Sequence, residues 1–596
     1  MKHKDSKHQD LLEESTERYA TAVKGWQDIY TVAADDLKFV YDINGGQWDQ
    51  KMRDKRVEAR RPVLTLNKVL KFIRQLRGEQ MQNRPRIKVI PVDNKGDVGM
   101  ADLYDGLIRQ IEYLSTAGIA YDTAYASAIA CSIGFFRIVT EFTNDQNLEK
   151  MLDQNILIKR ILNPFAVHFD PTAVDFMLSD ARYCFIEESM EKKQFLRKYP
   201  GADTKGFSGD TTGVELENWF LDDKIKVAEY FYKEPTNRQI AQLNTGEIIE
   251  LNNKITTEYL YSIGKLVVKE RKVNSHKVMW VKRSGSEILE GPTAWAGKYI
   301  PIIPVFGDEV VVNGQKHYLS VIRGTKDPQR MYNYWASSAT EHAMASPRPA
   351  YLVDHRQIDG FTAEWEDVDS NKPYKRYTAI EGVAKPEREE QIGIPTAIVN
   401  MMQLTALDIE DHLGRYEASK GEASNERSGK AIGLRIAQSD KGTFTYTENF
   451  LRSIIYGGKQ LIDLIPKIYD TRRALRVRGE TGDEKIVEVN IPVMDDKGNM
   501  GIGNDLSLGE FDIISTIGAS FASKREEMNS FMLNSMQYAP RLAEIIAPLM
   551  FKYGDMPGAQ EIYDELKKEV ERLRQEQGID ANKTIPSKPA SVDQIL

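Results

Sequence analysis

The feature that most constrains this chain is a pair of proline-started helical stretches with a proline-rich excursion between them. Asp327-Pro328 supplies an N-cap and a first-turn proline, and Met331, Tyr334, Trp335, Ala339, His342 and Ala343 recur at helical spacing until Ser346-Pro347 stops them. At 1.5 Å per residue this helix, 327–346, is about 28 Å long. Pro395 starts the second, 395–413, with Ile398, Met401, Met402, Thr405, Ile409 and Leu413 on one stripe and Gly414 as its stop. Between them, 347–394 holds Pro347, Pro349, Pro373, Pro386, Trp365 and several tyrosines in short strand-like pieces, which reads as a small β-containing excursion on a two-helix stalk. The stretch 414–430 that comes next is made of small and charged residues, which bury no face, and it is expected to be an exposed, mobile loop.

The stalk interrupts a larger body. A chain of 596 residues is long for one core at about 150 residues per domain. Leu12, Tyr19, Val23, Trp26, Tyr30 and Leu37 mark a helix over 11–40, and Leu66, Val69, Leu70, Ile73 and Leu76 mark a second that ends near Asn83-Arg84-Pro85. A strand over 87–92, one helix over 103–133 and a strand over 135–142 come after it; 156–281 then alternates short β-branched and aromatic runs with turn signals. After the loop come a helix over 431–469, strands over 474–517 with a hairpin turn near 495–498, and a helical stripe of Ile562, Leu566, Val570 and Leu573 before a polar tail. The fold class is α+β.

Catalytic chemistry finds little purchase. The nearest approach to a phosphate-cradling loop, Ser424 to Ala431, lacks the first glycine and the final hydroxyl, so no ATPase is expected. Gly501-Ile502-Gly503 lacks the third glycine of a dinucleotide site. The eight histidines are scattered, and the acid pairs Asp35-Asp36, Asp222-Asp223, Glu389-Glu390 and Asp495-Asp496 read as solvated surface rather than metal sites; no cofactor and no metal are expected. Cys131 and Cys184 make no disulfide framework, which fits a reducing, intracellular setting. No apolar leader follows Met1, and the longest apolar runs fall far short of about 18 residues, so neither a signal peptide nor a membrane span is expected. With 80 Lys+Arg against 88 Asp+Glu the net charge is −8, so the chain as a whole is no electrostatic clamp for nucleic acid.

Asn67-Lys68-Val69, the run Arg77 to Pro85, Asn163-Pro164 with Phe169-Asp170-Pro171, Asp180-Ala181-Arg182-Tyr183, Lys298-Tyr299-Ile300-Pro301, Pro304-Val305-Phe306-Gly307 and Lys326-Asp327-Pro328-Gln329-Arg330 together resemble the P22-like family of bacteriophage portal proteins, from about 64 to 541. The order of these segments carries the likeness, since none is a catalytic signature. The resemblance implies a portal fold: a mixed wing over 1–326, stem helices at 327–346 and 395–413, a β-containing clip at 347–394, a tunnel loop at 414–430, a return of the wing over 431–520, and a helical crown with tail at 521–596. It also implies a non-enzymatic ring, usually of twelve subunits, at a unique capsid vertex of the virion, assembled in the host cytoplasm. The ring would form the channel for DNA packaging and ejection and dock terminase, then head-to-tail adaptor proteins, beside capsid and scaffold proteins. Only a short helical region follows Phe521, which puts barrel-dependent roles in ejection in doubt.

A channel for a polyanion should not grip it, which suits an acidic ring with scattered cations. Arg323, Lys326, Lys420, Glu422, Asn425, Arg427 and Lys430 are the expected channel-facing residues, contacting double-stranded DNA without sequence readout. Arg348, Trp365, Tyr374 and Tyr377 are the expected partner-binding residues of the clip. The alternative is a phage nucleic-acid-processing enzyme with dispersed metal ligands, which magnesium-dependent nuclease or ATPase activity would favour; closed rings favour the portal.

Overall fold

The structure is a computed structural model that describes residues 2–82, 84–92, 98–143, 153–202, 224–244, 246, 248–251, 256–345, 351–366, 374–388, 395–413, 444–478, 484–494, 500–507 and 509–516. The chain divides into two compact units, Met1–Gly78 with Ile87–Ser515, and Glu79–Arg86 with Thr516–Leu596. The described part of the second is confined to the last turn of the helix Lys68–Gln82 and two strand ends, so the expected crown and tail at 521–596 lie outside the described residues, as does the loop 414–430. Body, stalk and excursion all belong to the first unit.

The N-terminal helix of that unit, Lys2–Tyr41, buries Tyr19, Ala22, Val23, Trp26, Tyr30, Ala33 and Ala34, positions that return every three to four residues and therefore line one face. That face crosses an antiparallel sheet ordered Val167–Phe169, Tyr183–Glu191, Lys224–Leu243, Val267–Arg283 and Ile288–Ala294, with Ile248–Leu251 added beside the third strand. Tyr19 packs edge-on against Phe185 at 5.3 Å, and the Trp26 indole N–H donates to the Phe169 carbonyl at 2.9 Å. Arg283, wholly buried at the end of its strand, donates to the Leu12 carbonyl at 3.3 Å and to Thr16 Oγ1 at 3.0 Å. Burial drives its pKa down to about 10.

A second sheet, Ile302–Phe306, Ile133–Phe142 and Gln154–Arg160, is shared by two cores because successive side chains point to opposite faces. Phe136, Ile138, Ile156, Ile158, Ile303 and Val305 face the core built with helices Val98–Leu114, Ala117–Cys131 and Phe444–Ile468. Ile133, Phe135, Ile302 and Phe306 face the core of Trp26 and Phe169. Helix Ala117–Cys131 lies so close that a Cβ on Gly134 would stand 2.0 Å from the Ala124 carbonyl oxygen.

Two expectations need correction. The single helix over 103–133 is two helices, broken at Ser115-Thr116, where Thr116 adopts a left-handed conformation and Ser115 Oγ accepts the Ile158 backbone N–H at 2.9 Å. Ser and Thr offer the backbone such alternatives to helical bonding, so the break has a local cause. The β-rich region is not a series of short runs throughout: Lys224–Leu243 and Val267–Arg283 are strands of 20 and 17 residues, paired along almost their whole length. Among the described residues, their outer halves add no side chain to the four buried apolar clusters, so little apolar alternation announces them.

The stalk consists of helices Lys326–Ala345 and Thr396–His412, which pack against each other, with Pro395 in extended conformation at the second N-cap. The second buries Ile398, Thr405, Ile409 and Leu413 as expected, while Met401 on its expected stripe is exposed. The first does not bury its apolar stripe. Met331, His342 and Ala343 are exposed, and beside the buried apolar Tyr332 and Ala336 runs a buried polar row, Gln329, Asn333 and Ser337.

Candidate functional site

The described chemistry concentrates where the stalk meets the body. Asp36, from the last turns of the N-terminal helix, is fully buried and accepts from Ser320 Oγ at 2.6 Å and from Arg323 at 2.7 Å through Nη2 and 3.1 Å through Nε. Lys326, the first residue of the stalk helix, places Nζ 2.6 Å from Asp36 and also pairs with Asp35. The same ammonium stands 5.6 Å from the centre of the Phe39 ring, and the Arg330 guanidinium 5.3 Å from it. One buried carboxylate thus satisfies two cations and a hydroxyl, which fixes the angle at which the stalk leaves the body.

Above this joint the polar row of the stalk helix receives an extended segment. The backbone N–H groups of Leu64, Leu66 and Lys68 donate in turn to Ser337 Oγ at 2.9 Å, Asn333 Oδ1 at 3.0 Å and Gln329 Oε1 at 3.1 Å. Two extended residues advance about 6.6 Å and four helical residues about 6.0 Å, so alternate N–H groups meet side chains one turn apart. Gln329 Nε2 returns a bond to the Leu66 carbonyl at 3.0 Å, and Asn333 Nδ2 donates to Gln47 Oε1 at 3.2 Å. Pro62, which has no N–H, precedes the bonded run, so a slip of two residues would leave Ser337 without this donor. One turn further, Glu341 holds Arg56 at 3.0 Å and Arg61 at 3.3 Å.

The excursion is held by different means. Tyr351–Leu352 pairs antiparallel with Glu387–Arg388, and two short helices, His355–Ile358 and Thr362–Glu366, lie between. Among the described residues, none of the four buried apolar clusters draws a side chain from it. Instead, Trp365 donates its indole N–H to the Arg376 carbonyl at 2.7 Å and meets Tyr351 edge-on at 5.2 Å, with Lys375 Nζ 5.3 Å from both rings. Buried Gln357 donates to the Ala384 carbonyl at 2.9 Å. Asp354 caps the first short helix, and its bonds from Arg356 hold its carboxyl down at about 2.

These contacts place the expected site residues. Trp365 is half-buried and ties together two segments of the excursion, whereas Tyr374 and Tyr377 stand 64% and 38% exposed. Arg323 and Lys326 sit together at the joint, their charge directed at Asp36 and Asp35. Lys420, Glu422, Asn425, Arg427, Lys430 and Arg348 lie outside the described residues. Sequence reading did not single out Gln329, Asn333 and Ser337, although their spacing of four with Glu341 is visible as a polar row. Among the described residues no group of three or more His, Cys, Asp or Glu is placed to hold a metal ion, and no helix is long and apolar enough to cross a membrane.

Residues 16–594 match the phage P22-like portal protein family. Among curated proteins, the chain is similar to a portal protein of Acyrthosiphon pisum secondary endosymbiont phage 1, with 23% identity over 515 residues that cover 83% of this chain and 71% of that protein.

Proposed function

The chain belongs to the phage P22-like portal protein family, and from that premise we propose that it is the subunit of a ring at one vertex of a tailed-phage capsid through which DNA is packaged and ejected. The observation that carries this reading is a family match running across the body, both stalk helices, the excursion and the loop. A ring of one chain needs two unlike patches that fit each other around an axis, and a stalk fixed rigidly to its body sets every copy at the same angle. In this reading terminase supplies ATP hydrolysis, and head-to-tail adaptors follow it on the excursion; scaffold and capsid proteins surround the wing. Native mass spectrometry should show closed rings near 814 kDa, about twelve times the 67.8 kDa chain. Monomers and dimers alone, across salt and concentration, would sink the proposal.

Tyr374 is our choice for the docking contact on the excursion, since it is the most exposed of the three tyrosines there and Trp365 is engaged within the fold. Tyr374→Ala should leave rings intact and weaken adaptor or terminase binding by about tenfold, a modest interface effect. Unchanged binding of both partners counts against this placement.

For the duplex-facing charge we look to 414–430, with Arg323 and Lys326 assigned to the joint. Lys420, Arg427 and Lys430 stand there among Glu417, Glu422 and Glu426, and the acids dilute a grip that would otherwise rise steeply as salt falls. Changing all three glutamates to Gln in assembled rings should give stronger, more salt-sensitive DNA association and slower packaging. Failed assembly would place the loop at a subunit interface, and no change would place it away from the axis.

A further inference from the structure

The outer halves of the two long strands form an arm. From the pair Glu234–Lys277 outward, the ribbon extends to Leu243, and among the described residues only Ile248–Leu251 pairs beside it and the short helix Thr257–Ser262 lies against it. Ten residues of strand span about 33 Å. An isolated two-stranded ribbon is marginal in water, and among the described residues this one encloses little beyond Ala241, Leu243 and Leu260. Its exposed side chains include Ile248 at 64%, Leu266 at 54% and Val268 at 67%, a density that marks a contact surface.

The arm's faces differ. Thr257 donates to Glu270 at 3.1 Å, which places the short helix on the Glu270 face. On the other, Lys269 stands opposite Gln242 and Arg271 opposite Ile240, both cations exposed, while Arg238 is paired with Glu250 at 2.8 Å. At the far end of the same strand, Arg283 holds the N-terminal helix from beneath, and that helix presents Asp10, Glu13, Glu14 and Glu17 to solvent at i, i+3, i+4 and i+7, one acidic stripe. Glu14 is paired with Arg18. Like charges at these spacings repel, so the stripe favours a cationic neighbour. Twelve strand residues separate Arg271 from Arg283, about 40 Å, so the basic arm face and the acidic stripe do not meet within one chain.

We propose that the arm docks on a second copy of this chain, its Lys269 and Arg271 lying against the neighbour's Glu13 and Glu17 stripe. The inference rests on the ring reading, because a closed ring sets unlike patches of successive copies side by side at every position. It commits two ends of one strand to the two halves of a head-to-tail contact, and the apolar tip residues then lose the water they face in the free chain.

Charge exchange tests it. K269E/R271E and, separately, E13K/E17K should each reduce the ring fraction at physiological salt by about tenfold, and the four-fold variant should return it to within about twofold of the wild type. Circular dichroism and a retained monomer peak show that each chain still folds. Wild-type chain that makes no rings overturns the portal reading together with this contact. Wild-type rings with arm variants that assemble normally, or a four-fold variant no better than its parents, overturn the contact alone. Arm variants whose rings form normally but are lost from capsids would assign the arm to another protein and overturn it as well.

Discussion

Asp36→Ala is expected to destabilise the stalk joint by about 3 kcal/mol, the low end for removing one partner of a buried ion pair. The low end applies because Arg323 is 30% exposed and Lys326 keeps Asp35, which lies toward solvent. The remaining cost falls on Lys326 Nζ, which loses the buried one of its two acceptors, and on the Ser320 hydroxyl, which loses the carboxylate it donates to. Asp36→Asn should recover part of the loss, since it preserves an acceptor oxygen without the charge. Replacing the set by apolar residues, D36L/R323M/K326M, should leave the joint more stable than Asp36→Ala does, because no cation is then left facing an empty position. Denaturant midpoints with hydrogen exchange across 320–333 measure both. A loss below about 1 kcal/mol for Asp36→Ala, with unchanged exchange, would mean that the joint holds the stalk by apolar packing rather than by this cluster.

The stalk shows what was legible and what was not. Both helices are readable because proline punctuates their starts, a property of backbone geometry that needs no tertiary information. The polar row buried on the first is not, because apolar periodicity assumes that burial follows hydrophobicity. Here Gln329, Asn333 and Ser337 are buried because Leu64, Leu66 and Lys68 present backbone donors at the matching interval, and those partners lie more than 260 residues away in sequence. The roles of Arg323 and Lys326 depend in the same way on Asp36, nearly 290 residues upstream. The adjacent acids Asp35 and Asp36 were visible as a pair, yet a pair of carboxylates says nothing of which cation it will meet. The N-terminal helix was legible through its stripe, and the long ribbon was not, since its outer half buries little beyond Ala241 and Leu243 and so writes little pattern.

Changing Leu404 and Leu407 together to Glu is expected to abolish rings while leaving the subunit folded. These leucines are 55% and 56% exposed on the second stalk helix, turned away from the row Ile398, Thr405 and Ile409 that is buried. At 100° per residue the two positions fall within about 60° of each other and roughly opposite the buried row, so they form one surface. In a ring, a stalk helix has neighbours to its sides and the channel on its axis side. Exposed leucines gain nothing from a passing polyanion, whereas burial against a neighbour contributes about 1.5–3 kcal/mol each. Two glutamates would forfeit that gain at every interface and bring unpaired charge into a dry contact, at several kcal/mol more. Leu404→Ala with Leu407→Ala should be milder, raising the concentration needed for assembly without preventing it. Native mass spectrometry and electron micrographs read both variants. Rings of the double glutamate variant that form as readily as the wild type would turn this surface toward the channel or solvent and move the subunit contact elsewhere on the stalk.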